Sequence, residues 1–190
     1  MKKTLCFIYT ETTGLHQTNE NVCKKNLFCF ARLVVLNYEI GYVENKKFIS
    51  IKKNRTIIKP RCMIIPYESI QYHKITQEEA LLNGTEIEVV IDTFKKDISE
   101  VNILLSHNID FHIKTILAEA VRYNTQLDLS KFIIIDTISF FHNYGFIKLK
   151  DLYYKLYDIN SDIDMDTLTI IELVFTKLYS QYKKSLKTIS

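Results

Sequence analysis

The sequence predicts a mixed α/β sheet with helices packed on its faces. Three observations carry this. Strand-like apolar runs dominate the chain up to Pro60, the apolar period changes to that of amphipathic helices after Pro66, and short β-branched segments then alternate with helical ones.

Residues Thr4 to Tyr9 form a short, nearly continuous apolar run, as expected of a strand buried on both faces. Thr10 to Asn26 is polar and loop-like. Leu27 to Tyr38 is a long strand candidate, with a turn marked by Gly41. Lys47 to Ile51 and Arg55 to Ile58 alternate apolar and basic residues and predict two edge-like strands, which completes an antiparallel meander. Thr76-Gln77-Glu78-Glu79 is a capping box that opens a short helix ending at Asn83-Gly84. Glu86 to Ile98 places Ile87, Val90, Ile91, Phe94 and Ile98 at helical spacing. Val101 to Leu105 predicts a buried strand, Ile109 to Tyr123 a helix, and Phe132 to Ile135 a further strand. Ile138 to Tyr144 and Leu149 to Tyr157 read as short helices, and Thr167 to Leu186 as the terminal one. With no linker or internal repeat, residues 1–190 are expected to form one domain with a sheet of about five strands, the meander being followed by parallel strands.

Composition narrows the function classes. The chain has 190 residues, of which 47% are hydrophobic and 25% charged, enough apolar content to bury a core and exclude intrinsic disorder. No run approaches the ~20 apolar residues that cross a bilayer. The apolar patch after Lys2 and Lys3 is too short for a secretory signal, so an intracellular, non-secreted protein is expected. Cys6, Cys23, Cys29 and Cys62 match no zinc or redox spacing and are expected to be incidental. The net charge of +3 permits a nucleic-acid partner without requiring one. An abundance of Lys, Asn, Ile and Tyr suggests an AT-rich source such as a virus, a phage or a low-GC bacterium.

The segment Phe7-Ile8-Tyr9-Thr10-Glu11-Thr12-Thr13-Gly14-Leu15 runs from a buried strand into a Glu-Thr-Thr-Gly-Leu turn. It resembles the first motif of the DEDD-type 3′–5′ exonucleases, a strand ending in Asp-x-Glu-Thr-Thr-Gly-Leu. Ser106-His107-Asn108-Ile109-Asp110-Phe111-His112 resembles the second motif, His-Asn-x-x-Phe-Asp. Ile70 to Thr76 is similar to the family's His-Gly-Ile-Thr segment, with Lys74 in place of glycine. Ile133 to Thr137 resembles its strand ending in Asp-Thr, and Asp166 falls at the third-motif aspartate. The resemblance covers nearly the whole chain in order. It implies an RNase H-like fold and points to the branch with a catalytic histidine, that of the proofreading epsilon subunit of bacterial DNA polymerase III.

In that family four carboxylates hold two Mg²⁺ or Mn²⁺ ions, ~3.5–4 Å apart, which clamp the attacking and leaving oxygens of phosphodiester hydrolysis. A histidine five residues before the last aspartate is the general base. Carried onto this chain, the first aspartate falls on Tyr9, the second-motif aspartate on His112 and the base on Ser161, while Glu11 and Asp166 are retained. A phenol is a poor ligand for a hard divalent ion, and an imidazole suits transition metals better than Mg²⁺. Two anions cannot neutralise two divalent ions in a desolvated cleft, so at most one weakly held Mg²⁺ or Mn²⁺, through Glu11 and Asp166, is expected. Asp110 should point away from the cleft if His112 points in, because i and i+2 do not share a helix face. Asp162 and Asp164 are read as a solvated acidic loop leading into the last helix, and His16, His73 and His142 as surface or packing residues.

For binding, the resemblance implies that Thr12, Thr13, Gly14 and Leu15 meet the terminal nucleotide, with Leu15 wedged against its base. His107, Asn108 and Phe111 belong to the second motif, where His107 and Asn108 are expected to brace the loop. Lys46 to Arg61 carries seven basic residues and no acid, so Lys52, Lys53 and Arg55 could line one positive stripe for a phosphate backbone. Edge-strand gatekeeping is the competing explanation of the same charges. The expectation is a degenerate, catalytically inactive relative of the exonucleases. Its role would be to bind single-stranded DNA or RNA, or to serve as a structural subunit with protein partners in a larger assembly, away from membranes. A divergent metal-dependent exonuclease and a pure protein-interaction module remain as alternatives.

Overall fold

The computed structural model describes residues 3–45, 47–139, 147–158 and 165–186, with side chains as far as 179. Ser161, Asp162, Asp164, His142, Lys46 and most of the expected Ile138–Tyr144 helix lie outside them.

Five strands form one sheet in the order β3-β2-β1-β4-β5. These are β1 (Thr4–Thr12), β2 (Leu33–Glu44), β3 (Lys47–Ile57), β4 (Ile103–Ser106) and β5 (Ile133–Asp136). β1 to β3 are an antiparallel meander, and β4 and β5 add in parallel beside β1. The helices are α1 (Tyr67–His73), α2 (Gln77–Asn83), α3 (Ile87–Asp97), α4 (Ile109–Arg122), α5 (Leu149–Tyr157) and α6 (Thr167–Leu186). The α/β class and the meander-then-parallel order are those the sequence predicts.

Alternation along β1 sends its side chains into two layers. Cys6 and Ile8 join Tyr38, Ile40, Ile91 and Phe94 under α3 and α4. Leu5 and Phe7 join Ile103, Leu105, Ile171 and Phe175 under α6. Tyr9 and Glu11 continue the α6-side row, beyond the apolar part of that layer. The site is thereby placed at the carboxyl end of β1, between the sheet and the start of α6.

Several boundaries depart from the sequence reading. Leu27–Cys29 is a 3-10 turn, not the start of a strand. Arg122 donates to the carbonyls of Leu27 and Phe30, and Thr13 exchanges hydrogen bonds with Arg32, so tertiary partners claim this backbone before pairing begins at Leu33. Gly41 does not turn the chain. It sits within β2 at a bulge, where an added Cβ would collide with the Ile49 carbonyl and the Phe48 ring. The reversal comes at Asn45, φ 50°. β3 is one strand of 11 residues, because the ladder to β2 pairs the polar stretch Lys52–Asn54 as readily as the apolar ones.

Thr76 caps α2 as expected, its Oγ1 accepting from the Glu79 amide at 3.1 Å, the threonine half of the capping box. α1, which the sequence reading did not foresee, ends at Lys74 with φ 64°. This is the position where the resemblance expects glycine, and the left-handed backbone explains why. Lys74→Gly is therefore expected to stabilise the protein by about 1 kcal/mol, read as a raised midpoint in urea denaturation.

Candidate nucleic-acid interface

Antiparallel pairing stacks alternate residues of three strands into rows across one face. Tyr9, Asn37 and Arg55 form one row, and Phe7, Glu39 and Lys53 the next. With Glu11 and the start of α6 they bound a cleft of about 380 Å³, lined by Tyr9, Glu11, Asn37, Lys53, Arg55, Asp166, Thr167 and Leu168. The structure thus brings Glu11 and Asp166, the two acids that the resemblance assigns to family positions, to one cleft.

Their chemistry differs. Burial pushes the Glu11 carboxyl up to about 7, with Arg55 pulling the other way. For Asp166, burial also acts upward, but hydrogen bonds from Thr169 and the Lys53 ammonium outweigh it and hold the group below its ordinary value. Both Asp166 oxygens are engaged, Oδ1 by the Thr169 amide at 3.1 Å and Oδ2 by the Thr169 hydroxyl at 2.6 Å, so Asp166 caps α6. Lys53 Nζ lies 3.6 Å from Asp166 Oδ2 and 3.8 Å from Glu39 Oε2.

Tyr9 and His112, which the resemblance places at two of the family's aspartate positions, meet each other. Their ring centroids lie 5.1 Å apart. Burial, then the Glu11 carboxylate, push the Tyr9 phenol up to about 12, partly offset by a hydrogen bond with Thr167, so it is neutral at physiological pH. His112 is only 4% exposed, and its Nδ1 accepts from the Thr10 amide at 3.2 Å and meets the Thr10 hydroxyl at 2.8 Å. Burial drives its pKa down to about 3, so the ring is neutral and serves as a brace between α4 and β1. Asp110, as expected, faces outward and pairs with Lys114 at 2.7 Å. Among the described residues no cluster of three or more His, Cys, Asp or Glu is placed to hold a metal ion.

The basic stretch does not form one stripe. Lys52 projects from the opposite face and pairs with Asp97 at 2.6 Å, while Arg61 pairs with Glu86 and Glu88. Among the described residues of this stretch, Lys53 and Arg55 alone line the cleft, because residues two apart share a face and adjacent ones do not.

The turn after β1 borders a second cleft of about 380 Å³ that includes Thr13, Gly14, Leu15, Phe28, Arg32 and Arg122. Thr12 Oγ1 donates to the Gly14 carbonyl, and Gly14 takes φ 147°, a conformation that side-chain-bearing residues rarely adopt. Leu15 is 84% exposed and Phe28 80%. His16 stacks on Phe111 at 4.3 Å and accepts from the Ala31 amide, tying the turn to α4 and the approach to β2. The second-motif residues brace loops. His107 bonds Thr137 at 2.8 Å and the Ile147 carbonyl at 2.7 Å, and the Asn108 and Ile109 amides donate to Asp136.

Phe28, Arg32, Asn37, Glu39 and Arg122 were not singled out in the sequence. The readable sign was Asn37 and Glu39, polar residues two apart inside the buried run of β2, but their partners depend on register.

A five-stranded mixed sheet with helices on both faces and a cleft at the end of β1 is the architecture of RNase H-like nucleases. The exonuclease (RNase T) family matches residues 7–166, so the chain belongs to that family. Comparison with curated proteins returns no match. Among solved structures, an exonuclease I with bound product superposes with TM-score 0.71 at 13% identity, covering 96% of this chain and 45% of that one. Escherichia coli exonuclease I in complex with a dA16 oligonucleotide gives 0.69 at 14% identity, covering 94% and 41%. Exonuclease I from Methylocaldum szegediense gives 0.68 at 14% identity, covering 96% and 41%. The chain spans less than half the length of these proteins. Among the described residues no helix is long and apolar enough to cross a membrane.

Proposed function

We propose that this exonuclease-family protein binds single-stranded nucleic acid without hydrolysing it. The observation that carries the reading is Tyr9. At the strand position where the family places its bridging aspartate stands a neutral phenol, packed against His112 and beside a lysine that already pairs with Asp166. The described donors do not fit a two-ion centre: Glu11 is the one carboxylate in the cleft not already paired or capping, and the His112 Nδ1 is committed to Thr10. At most one Mg²⁺ or Mn²⁺ could be held, weakly, by Glu11 with Asp166, and no hydrolytic step is derived through it.

What remains suits a strand end. Leu15 and Phe28 offer exposed apolar surfaces in the lining of the cleft beside the turn, and every nucleobase has a face that stacks on an aromatic ring. Arg55 forms no ion pair among the described residues and can meet a phosphate. The oligonucleotide complex of exonuclease I supports a single strand as the ligand class. A single-turnover assay with Mn²⁺ on labelled single-stranded DNA and RNA, with Glu11→Ala as control, is expected to give no turnover above the control. Cleavage lost in Glu11→Ala would instead establish a divergent exonuclease. Phe28→Ala is expected to weaken oligonucleotide binding by about 1–3 kcal/mol, measured by fluorescence anisotropy at fixed salt. A second reading, a subunit of a larger assembly, is favoured by the exposed Tyr67, Tyr72, Leu81 and Leu82 on the two short helices after the meander. The exonuclease I complex with SSB gives this reading a precedent in the family.

A further inference from the structure

Lys53 stands where a cation is required. It rises from β3 in the row of Glu39, its Nζ 3.8 Å from that buried carboxylate and 3.6 Å from Asp166 on the far wall of the cleft. Glu172 of α6 also feels it electrostatically. One ammonium shared by acids from β2 and from α6 ties the start of α6 to the sheet, as a bridging ion would. A divalent ion bound to the same Asp166 oxygen, at about 2 Å, would lie within about 6 Å of the ammonium, and like charges at that distance repel in a partly desolvated cleft. Arg55, one row further along and beside Glu11, adds a second fixed positive charge.

We propose that Lys53 is the resident cation of this cleft: it takes the place of a divalent ion between Glu39 and Asp166, weakens the binding of such ions there, and leaves Arg55 to receive a phosphate of the bound strand without metal. The part concerning Arg55 rests on the nucleic-acid reading above, and the part concerning Lys53 does not. Lys53 is half exposed, so its replacement leaves the core intact.

The test uses the full chain in two arms. In the first, Mn²⁺ is titrated and free ion is followed by its paramagnetic resonance signal, for the wild type, Lys53→Met and Lys53→Arg. Lys53→Met is expected to bind Mn²⁺ about tenfold or more tightly than the wild type, with Lys53→Arg remaining like the wild type. Equal affinity in wild type and Lys53→Met overturns the proposal. In the second arm, anisotropy of a labelled single-stranded oligonucleotide is compared in EDTA and in Mn²⁺. Equal affinity in both, falling about tenfold in Arg55→Glu, supports the proposal. Binding that requires Mn²⁺ overturns it while leaving the nucleic-acid reading in place. Absence of binding under every condition removes that reading and the role of Arg55, and the Mn²⁺ arm still decides the role of Lys53.

Discussion

Glu119→Ala is expected to lower stability by about 3–5 kcal/mol, read from urea denaturation with the wild type as reference. Glu119 lies on α4 and is 2% exposed. Its Oε1 accepts from Arg32 Nε at 2.8 Å and from Arg122 Nη1 at 2.7 Å, and also from the Leu33 amide at 3.2 Å. Removing this carboxylate leaves two half-buried guanidiniums repelling each other and an amide at the first residue of β2 without its partner. The cost comes from the stranded charges more than from the pair itself, since burying two opposite charges recovers little net energy. Glu119→Gln, which keeps the shape and one acceptor oxygen, should fall between the two. The same cluster holds the turn that carries Phe28, because Arg122 also binds the Leu27 and Phe30 carbonyls. Glu119→Gln should accordingly weaken the oligonucleotide binding proposed above even under conditions where it remains folded.

Acidification is expected to destabilise the wild type more steeply than His112→Asn. His112 has an ordinary value of 6.5, and in the fold burial lowers it to about 3. Between those limits the unfolded chain takes up a proton that the folded chain refuses. Stability is therefore lost as pH falls through this window, by at most ~1.4 kcal/mol per pH unit for this one group. From about pH 6.5 to about 4.5 the difference between wild type and variant should accumulate to about 2–3 kcal/mol. Burial likewise lowers His16, His73 and His107, so the variant should retain part of the slope. Glu11 acts with the opposite sign: its raised value means that stability is lost as pH rises from the ordinary 4.5 through about 7. Subtracting the variant's profile from that of the wild type isolates His112, because the side-chain carbonyl introduced by His112→Asn can still accept from the Thr10 amide. A difference that is flat with pH would show that the ring is not buried as a neutral group.

Local chemistry made much of this protein readable in one dimension. The buried run into Glu11 and the Thr12–Leu15 turn, the capping box at Thr76 and the apolar stripes of α3, α4 and α6 each depend on residues within a turn or two of one another. Glycine at position 14 acts through its own backbone, and the capping threonine through a hydroxyl that reaches an amide three residues on. The same holds for the resemblance to the exonuclease motifs, which are short segments at the ends of strands.

Where one segment satisfies two local rules, tertiary partners choose between them. Leu27 to Tyr38 is apolar enough for a single strand, but Arg122 and His16, distant in sequence, hold its first residues in another shape. Gly41 fits a turn as well as a bulge, and only the approach of Phe48 distinguishes them. Lys52 and Lys53 are equal as members of a basic run, yet a one-residue step sends them to opposite faces.

The amino-acid order was sufficient to set the α/β class and the order of the five strands, because apolar periodicity and short motifs can be read along the chain without coordinates. Strand register settled the rest. Side chains on a strand alternate while their partners come from strands tens of residues away, so the meeting of Lys53 with Asp166, the alignment of Arg55 with Tyr9 across Asn37 and the meeting of His112 with Thr10 exist only once the sheet has closed.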